Sequence, residues 1–190
     1  NINKPYKIIN NAANTDIFKP NFQRGKLNRK QIKIVTHHWS NDYLKGFEIY
    51  SKLDKLLPKY PWIKFTFIGN YNNLLSPKNI IIKKPISGEK LANELKKHDI
   101  YLTASLYEPG GIHQLEGMAA GLPVIYRCNS GGIKETIGNC GVEFKSINDL
   151  ISKIEYVIDN YNELTSKIDY NFIGYERCAK EYSELIDKID

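Results

Sequence analysis

From Ile32 onward, short β-like apolar runs alternate with longer amphipathic ones, and this rhythm leaves few architectures open. Alternation of a two-residue period with one near 3.6 is the pattern of βαβ units around a parallel sheet. Strands are expected at Ile32–Thr36, Lys64–Ile68, Ile80–Ile82, Ile100–Thr103, Pro123–Tyr126 and Val142–Phe144. Helices are expected at Lys45–Leu57, Gly88–Lys97, Ile112–Ala120, Gly132–Ile137 and Ile147–Asn160. The fold class is therefore α/β, a Rossmann-like parallel sheet flanked by helices, and 190 residues give it room for one domain. In open α/β sheets ligands sit outside the carboxyl ends of the strands, which directs attention to the loops after Thr36, Ile68, Thr103 and Tyr126.

Two ends fall outside the rhythm. Residues 1–30, with Pro5 and Pro20, read as an extended linker, and residues 31–170 as the domain. Residues 171–190 read as a closing segment: from about Tyr175 to Ile189, Tyr175, Cys178, Ala179, Tyr182, Leu185 and Ile186 fall at helical spacing, as in a helix that docks on something apolar. The first residue is not Met and the single Met is Met118, so the sequence is expected to be part of a longer protein.

Composition excludes more than it selects. No apolar run approaches the roughly 20 residues that span a bilayer, and a cytoplasmic location is expected. The net charge of +6 suits an anionic ligand, a nucleic acid or a membrane surface. The basic residues are mostly Lys and are not interleaved with aromatics as in a nucleic-acid module, so no nucleic-acid partner is expected. Cys128, Cys140 and Cys178 form no C-x-x-C pair and are expected as buried or half-buried free thiols.

The stretch from Ser105 to Ile125 carries the chemistry: SLYEPGGIHQLEGMAAGLPVI. It reads as a glycine-rich loop after a strand, a helix, then small residues and a turn into the next strand. Gly110 and Gly111 remove side chains where a ligand must approach the backbone, and the amides of the following helix start suit a phosphate. Glu116 lies one turn beyond Ile112 on the same helical face, where its carboxylate could accept from ribose hydroxyls. Glu108 could reach sugar hydroxyls on the other side of a diphosphate. The plainer alternative is a Gly pair that merely permits a tight turn between two solvated carboxylates.

In order and spacing, this stretch resembles the signature of the retaining glycosyltransferases of family 4, also called group 1, which have the two-lobed GT-B fold. There a Glu, seven residues and a second Glu bracket a Gly-containing loop, followed by small residues and G-x-P-V; here these are Glu108, Gly111, Glu116, Ala119-Ala120-Gly121 and Pro123-Val124. Three further segments resemble the family in the same order. Ile9 to Pro20 is similar to its linker motif, Gly131-Gly132-Ile133-Lys134-Glu135 to its G-G-x-x-E element, and Tyr170 to Ile189 to its closing segment.

The resemblance implies that the chain is the carboxy-terminal lobe, which binds a nucleoside-diphosphate sugar as donor substrate, with no separate cofactor. Glu116 would hold the ribose, and the amides around Gly110, Gly111, Ile112 and His113 the diphosphate and sugar. Glu108 would contact the sugar or orient the reacting groups. Lys45, which with Gly46 matches the family's K-G, would neutralise the diphosphate leaving group. An acceptor glycan or lipid-linked sugar would bind an amino-terminal lobe outside this sequence, and any membrane association would come through such parts. No Asp-x-Asp-type metal motif is present, in keeping with the fold's usual metal independence.

The sequence also departs from the family pattern. The usual G-R-L before K-G is replaced by His37-His38-Trp39-Ser40-Asn41, without the Arg that supplies a second cation. His37, His38 or Ser40 is left to supply that donor. Adjacent strand residues point apart and no third ligand is evident, so the two His are not expected to bind metal. His113 stands where the family is normally apolar; it would hydrogen-bond the donor or be a half-exposed helix His. Tyr126, Arg127 and Asn129 could line the pocket, and Ile86 could pack on the base. Loss of the Arg also admits a nucleotide-sugar-binding module without transfer activity. An epimerase sharing the fold is opposed by the paired-Glu signature, and a phosphorylase by the absence of a pyridoxal-phosphate lysine motif.

Overall fold

The computed structural model describes residues 7–21 and 27–188; residues 1–6 and 22–26 of the expected linker, Pro5 among them, and Ile189 of the expected closing helix lie outside the described residues. Six parallel strands form one sheet: β1 (Ile32–His38), β2 (Ile63–Gly69), β3 (Ile81–Lys83), β4 (Ile100–Thr103), β5 (Val124–Arg127) and β6 (Gly141–Phe144), in the order β3-β2-β1-β4-β5-β6. This is the doubly wound order, and the direction of winding reverses between β1 and β4.

Alternation along the strands divides the core in two. Ile32 and Ile34 of β1 and Ile100 and Leu102 of β4 face one side, where they pack with Phe47, Tyr50 and Leu53 of α1 (Phe47–Leu56) and Leu150 and Ile154 of α5 (Ile147–Asp159). Val35 and Tyr101 face the other, against Leu91 and Leu95 of α2 (Gly88–Leu95), Leu115 and Met118 of α3 (His113–Ala119) and Ile133 of α4 (Gly132–Ile137). A parallel sheet must be covered on both faces, and period-two strands with amphipathic helices supply the two layers.

Several boundaries differ from expectation. β1 runs two residues past Thr36 because His37 and His38 stay in register with Ile68 and Gly69 of β2. The helix expected from Lys45 begins at Phe47, because Gly46 is left-handed (φ 78°) and Tyr43–Lys45 forms a separate 3-10 turn. Two short helices that the periodicity did not single out, α6 (Tyr161–Ser166) and α7 (Tyr170–Ile173), precede α8 (Tyr175–Ile186). The amino-terminal segment is pinned to them: the Ala13 amide donates to the Ile173 carbonyl at 2.8 Å, the Tyr175 amide to the Ala13 carbonyl at 3.0 Å, and Phe18 is buried. α8 buries none of its residues among those described, and Tyr182 and Ile186 are exposed. No helix of the described residues is long and apolar enough to cross a membrane.

Candidate functional site at the sheet's switch point

β1 and β4 diverge where the winding reverses, and the loops leaving their carboxyl ends frame a crevice. Strand alternation sends the two His at the end of β1 to opposite faces. His37 shares the face of Val35: its Nε2 lies 2.7 Å from Glu116 Oε2 on α3, and its Nδ1 3.0 Å from the Tyr101 hydroxyl on β4. His38 shares the face of Ile34: its Nε2 lies 2.9 Å from the Tyr50 hydroxyl and 3.2 Å from Thr36 Oγ1. The Tyr50 hydroxyl also accepts the Ala104 amide hydrogen at 3.0 Å, fixing the start of the loop after β4. Burial pushes the Tyr50 phenol up to about 12 and holds Tyr101 well above the usual phenol range.

His113 joins the pair. Its Nδ1 is 3.2 Å from the Tyr101 hydroxyl, and its ring centroid is 5.0 Å from that of His38 and 6.1 Å from that of His37. Burial, and then the neighbouring His rings and Lys45, hold His38 and His113 well below the usual histidine range. Both are neutral at pH 7, and each keeps one buried nitrogen, Nδ1 of His38 and Nε2 of His113, without a hydrogen-bond partner among the described residues. The cluster thus offers hydrogen bonds in place of the fixed positive charge of an Arg.

Lys45 closes the 3-10 turn after β1. The Asp42 carboxylate caps that turn by accepting from the Leu44 amide at 2.8 Å, and the Leu106 amide donates to the Leu44 carbonyl at 2.8 Å, tying the loop after β1 to the one after β4. A Cβ on the left-handed Gly46 would lie 2.2 Å from the Ala104 carbonyl oxygen, so the K-G pair needs its glycine for a close crossing of these loops. From there the Lys45 ammonium donates to Glu108 Oε2.

Glu108 is held by its own backbone. Its amide donates to the Ser130 carbonyl at 3.1 Å and its carbonyl accepts from Gly132 at 2.9 Å. A Cβ on Gly131 (φ 69°) would meet that carbonyl oxygen at 2.8 Å, which explains the second glycine pair: it lets the loop after β5 lie flat against Glu108. The Gly110 carbonyl accepts from Asn11 Nδ2 at 2.6 Å, and the Gly111 carbonyl from Gln114 Nε2 at 2.7 Å.

Lys45, Glu108, Gly110, Gly111, Ile112, His113, Glu116, His38 and Ser40 all line one open cleft of about 360 Å³, together with His37 and Trp39. Ile86 does not line this cleft; with Pro85 it lines a shallow depression beside it that shares His37, His38 and Trp39. The Ser40 hydroxyl accepts from the Asp42 amide at 3.1 Å and so also serves the loop. Tyr126, Arg127 and Asn129 do not line the cleft. Tyr126 is buried in the core, Arg127 is ion-paired with Glu48 of α1, and the Asn129 carbonyl accepts from the Tyr107 amide. Tyr101 was not singled out by the sequence, because a Tyr inside a buried strand reads as core; the only signal was a hydroxyl that needs a partner when buried. Trp39, 58% exposed at the boundary of cleft and depression, was likewise passed over.

A family model described as glycosyl transferases group 1 matches residues 19–173. A probable sucrose-phosphate synthase of Thermosipho melanesiensis is 30% identical over 95% of this chain and 47% of that protein, so the chain spans about half the length of this curated relative. Among solved structures, HepE of Anabaena, in a complex with UDP and glucose, superposes with a TM-score of 0.74 at 16% identity, over 95% of this chain and 56% of that one. Sucrose-phosphate synthase of Thermosynechococcus elongatus gives 0.72 at 19% identity, over 96% and 52%. The C-terminal domain of a group 1 glycosyl transferase, LpcC of Francisella tularensis, gives 0.63 at 20% identity, over 85% of this chain and 96% of that domain.

Proposed function

The chain belongs to the glycosyl transferases group 1 family, and we propose that it is the carboxy-terminal, donor-binding lobe of a retaining enzyme of family 4 that moves a hexosyl group from a nucleoside-diphosphate sugar to an acceptor hydroxyl. The observation that carries this reading is the meeting of Lys45, Glu108, the Gly110-Gly111 backbone and Glu116 in one cleft at the switch point. That the chain covers nearly all of a solved carboxy-terminal domain, but about half of longer relatives, supports the assignment to one lobe.

On this reading Glu116 keeps Oε2 on His37 and accepts a ribose hydroxyl with Oε1. The diphosphate lies along the backbone of residues 110–113 and draws the Lys45 ammonium from Glu108, and the released Glu108 carboxylate then accepts from a sugar hydroxyl. As the glycosyl bond breaks, Lys45 stabilises the charge that develops on the departing diphosphate, and the acceptor hydroxyl attacks the oxocarbenium-like carbon from the same face, giving its proton to the departing diphosphate oxygen. Glu108 and Glu116 bind and position; they are not an acid and base pair of the glycoside-hydrolase kind. The acceptor, a glycan or lipid-linked sugar, is held by the other lobe, so this chain by itself binds nucleotide weakly and does not turn over.

Calorimetric titration with UDP, GDP and ADP, and with the sugar conjugates of whichever binds, tests the reading. One nucleotide is expected to bind selectively, with affinity lowered at least ten-fold in Glu116→Ala, the worth of a hydrogen bond to a charged group. Binding that Glu116→Ala leaves unchanged would sink the assignment of this cleft.

A further inference from the structure

The hydrogen bonds of the cleft form one chain from Glu116 through His37 and Tyr101 to His113. The Glu116 carboxylate only accepts, so the hydrogen between it and His37 sits on His37 Nε2. The Tyr101 hydroxyl lies 3.0 Å from Nδ1 of the same ring and 3.4 Å from the His37 carbonyl oxygen, and a hydrogen given to either stays on the His37 side. With its hydrogen committed, the Tyr101 oxygen can only accept, from the His37 amide at 3.3 Å and from His113 Nδ1 at 3.2 Å. In this arrangement His113 carries its hydrogen on Nδ1. Its Nε2 is left as a bare acceptor, buried, without a hydrogen-bond partner among the described residues, and 3.9 Å from Glu108 Oε2. Burial keeps this ring from gaining a second proton at neutral pH.

Two acceptors thus stand side by side in a cleft otherwise suited to an anion, and what satisfies both is a ligand that presents hydroxyl hydrogens. We propose that His113 is a specificity-determining residue whose Nε2 accepts a hydroxyl hydrogen from the glycosyl group of the donor, with Tyr101 and His37 as the positioning residues that hold it in the accepting tautomer. The ligand class rests on the donor-site reading above; the tautomer does not. The Glu116 carboxylate at the ribose end thereby sets, through two intervening side chains, the hydrogen-bond character of the sugar end. A sugar bearing a group that cannot donate at that position is discriminated against.

Two measurements on the chain decide this. Nitrogen-15 NMR of the imidazole side chains, without nucleotide, is expected to find His113 in the Nδ1–H form at pH 7.5 and to lose that fixed form in Tyr101→Phe, which keeps the ring and removes the hydroxyl. An Nε2–H or doubly protonated His113 in the unaltered chain would overturn the proposal. Titrations then compare UDP with UDP-glucose, GDP with GDP-mannose and ADP with ADP-glucose, in the unaltered chain and in His113→Phe. The ratio of sugar-conjugate to nucleotide affinity is expected to fall about ten-fold in the variant. One deoxyfluoro analogue of the bound donor, in which fluorine cannot donate, is expected to show the same loss in the unaltered chain and no further loss in His113→Phe. An unchanged ratio alongside a bound nucleotide overturns this proposal alone, whereas failure of every nucleotide to bind overturns the donor-site reading and the ligand named here together.

Discussion

Asp54 shows how much one buried carboxylate can hold. It is 3% exposed on α1, and its Oδ1 accepts from the backbone amides of Lys78, Asn79 and Ile80 at 2.9, 2.7 and 2.9 Å, fixing the turn into β3. Burial works against its ionisation, but the three amides and the Asn79 side chain outweigh it and hold the pKa below the usual aspartate range. Asp54→Ala leaves those amides unpaired and is expected to cost about 2–3 kcal/mol in urea unfolding. Asp54→Asn, which keeps one accepting oxygen, is expected to cost less; a loss under about 0.5 kcal/mol for the alanine variant would contradict this account. Nothing in the sequence marked Asp54, since a lone Asp in an amphipathic helix reads as a solvated face. Glu108 and Glu116 were legible because their spacing placed them on either side of a glycine loop. Their partners Lys45 and His37 come from the turn after β1 and from β1 itself, and pairing across sequence separations of 63 and 79 leaves no local trace.

At the scale of elements, glycines decide where loops can cross. Gly46 separates the 3-10 turn from α1, and its left-handed backbone lets Lys45 face the cleft while the chain passes within contact of Ala104. Gly46→Ala must strain the backbone by about 1–2 kcal/mol and also push β4's exit loop away. It is expected to lower thermal stability and to weaken nucleotide binding at the same time, a pairing that circular-dichroism melts and calorimetry would check. Retained affinity in a destabilised Gly46→Ala would show that Lys45 reaches its place without this crossing. The expected helix boundary at Lys45 failed for the same reason: periodicity reports the apolar face of α1, not the φ angle of the residue before it. Strand ends behaved likewise, since β1 extends for as long as β2 offers partners.

The molecule as a whole carries three buried neutral histidines: His38 and His113 in the cleft, and His98, whose Nδ1 and Nε2 lie 2.9 Å from the Glu94 carbonyl and 3.0 Å from Thr66 Oγ1. Burial lowers all three below the usual histidine pKa; for His98 it outweighs the opposing pull of the Glu94 carbonyl and carboxylate. The sign follows from linkage. Below about pH 6.5 the unfolded chain takes up protons that the folded one refuses, so stability is full above that value and falls with pH toward the lowered folded values. Urea midpoints are expected to drop from pH 7 to pH 5 with a slope above the roughly 1.4 kcal/mol per pH unit of a single proton. A flat profile would mean that these rings charge freely in the folded state. By itself the sequence determined the α/β class, the strand order's raw material and the glycine-rich segment that borders the cleft, because binary patterning and glycine placement act over a few consecutive residues. Only the tertiary structure decided that His37, Tyr101 and His113 form one chain of hydrogen bonds, and that Ile86 lies beside the cleft while Arg127 turns away from it. Those outcomes depend on which strands become neighbours and on which side chains reach each other across the sheet's switch point.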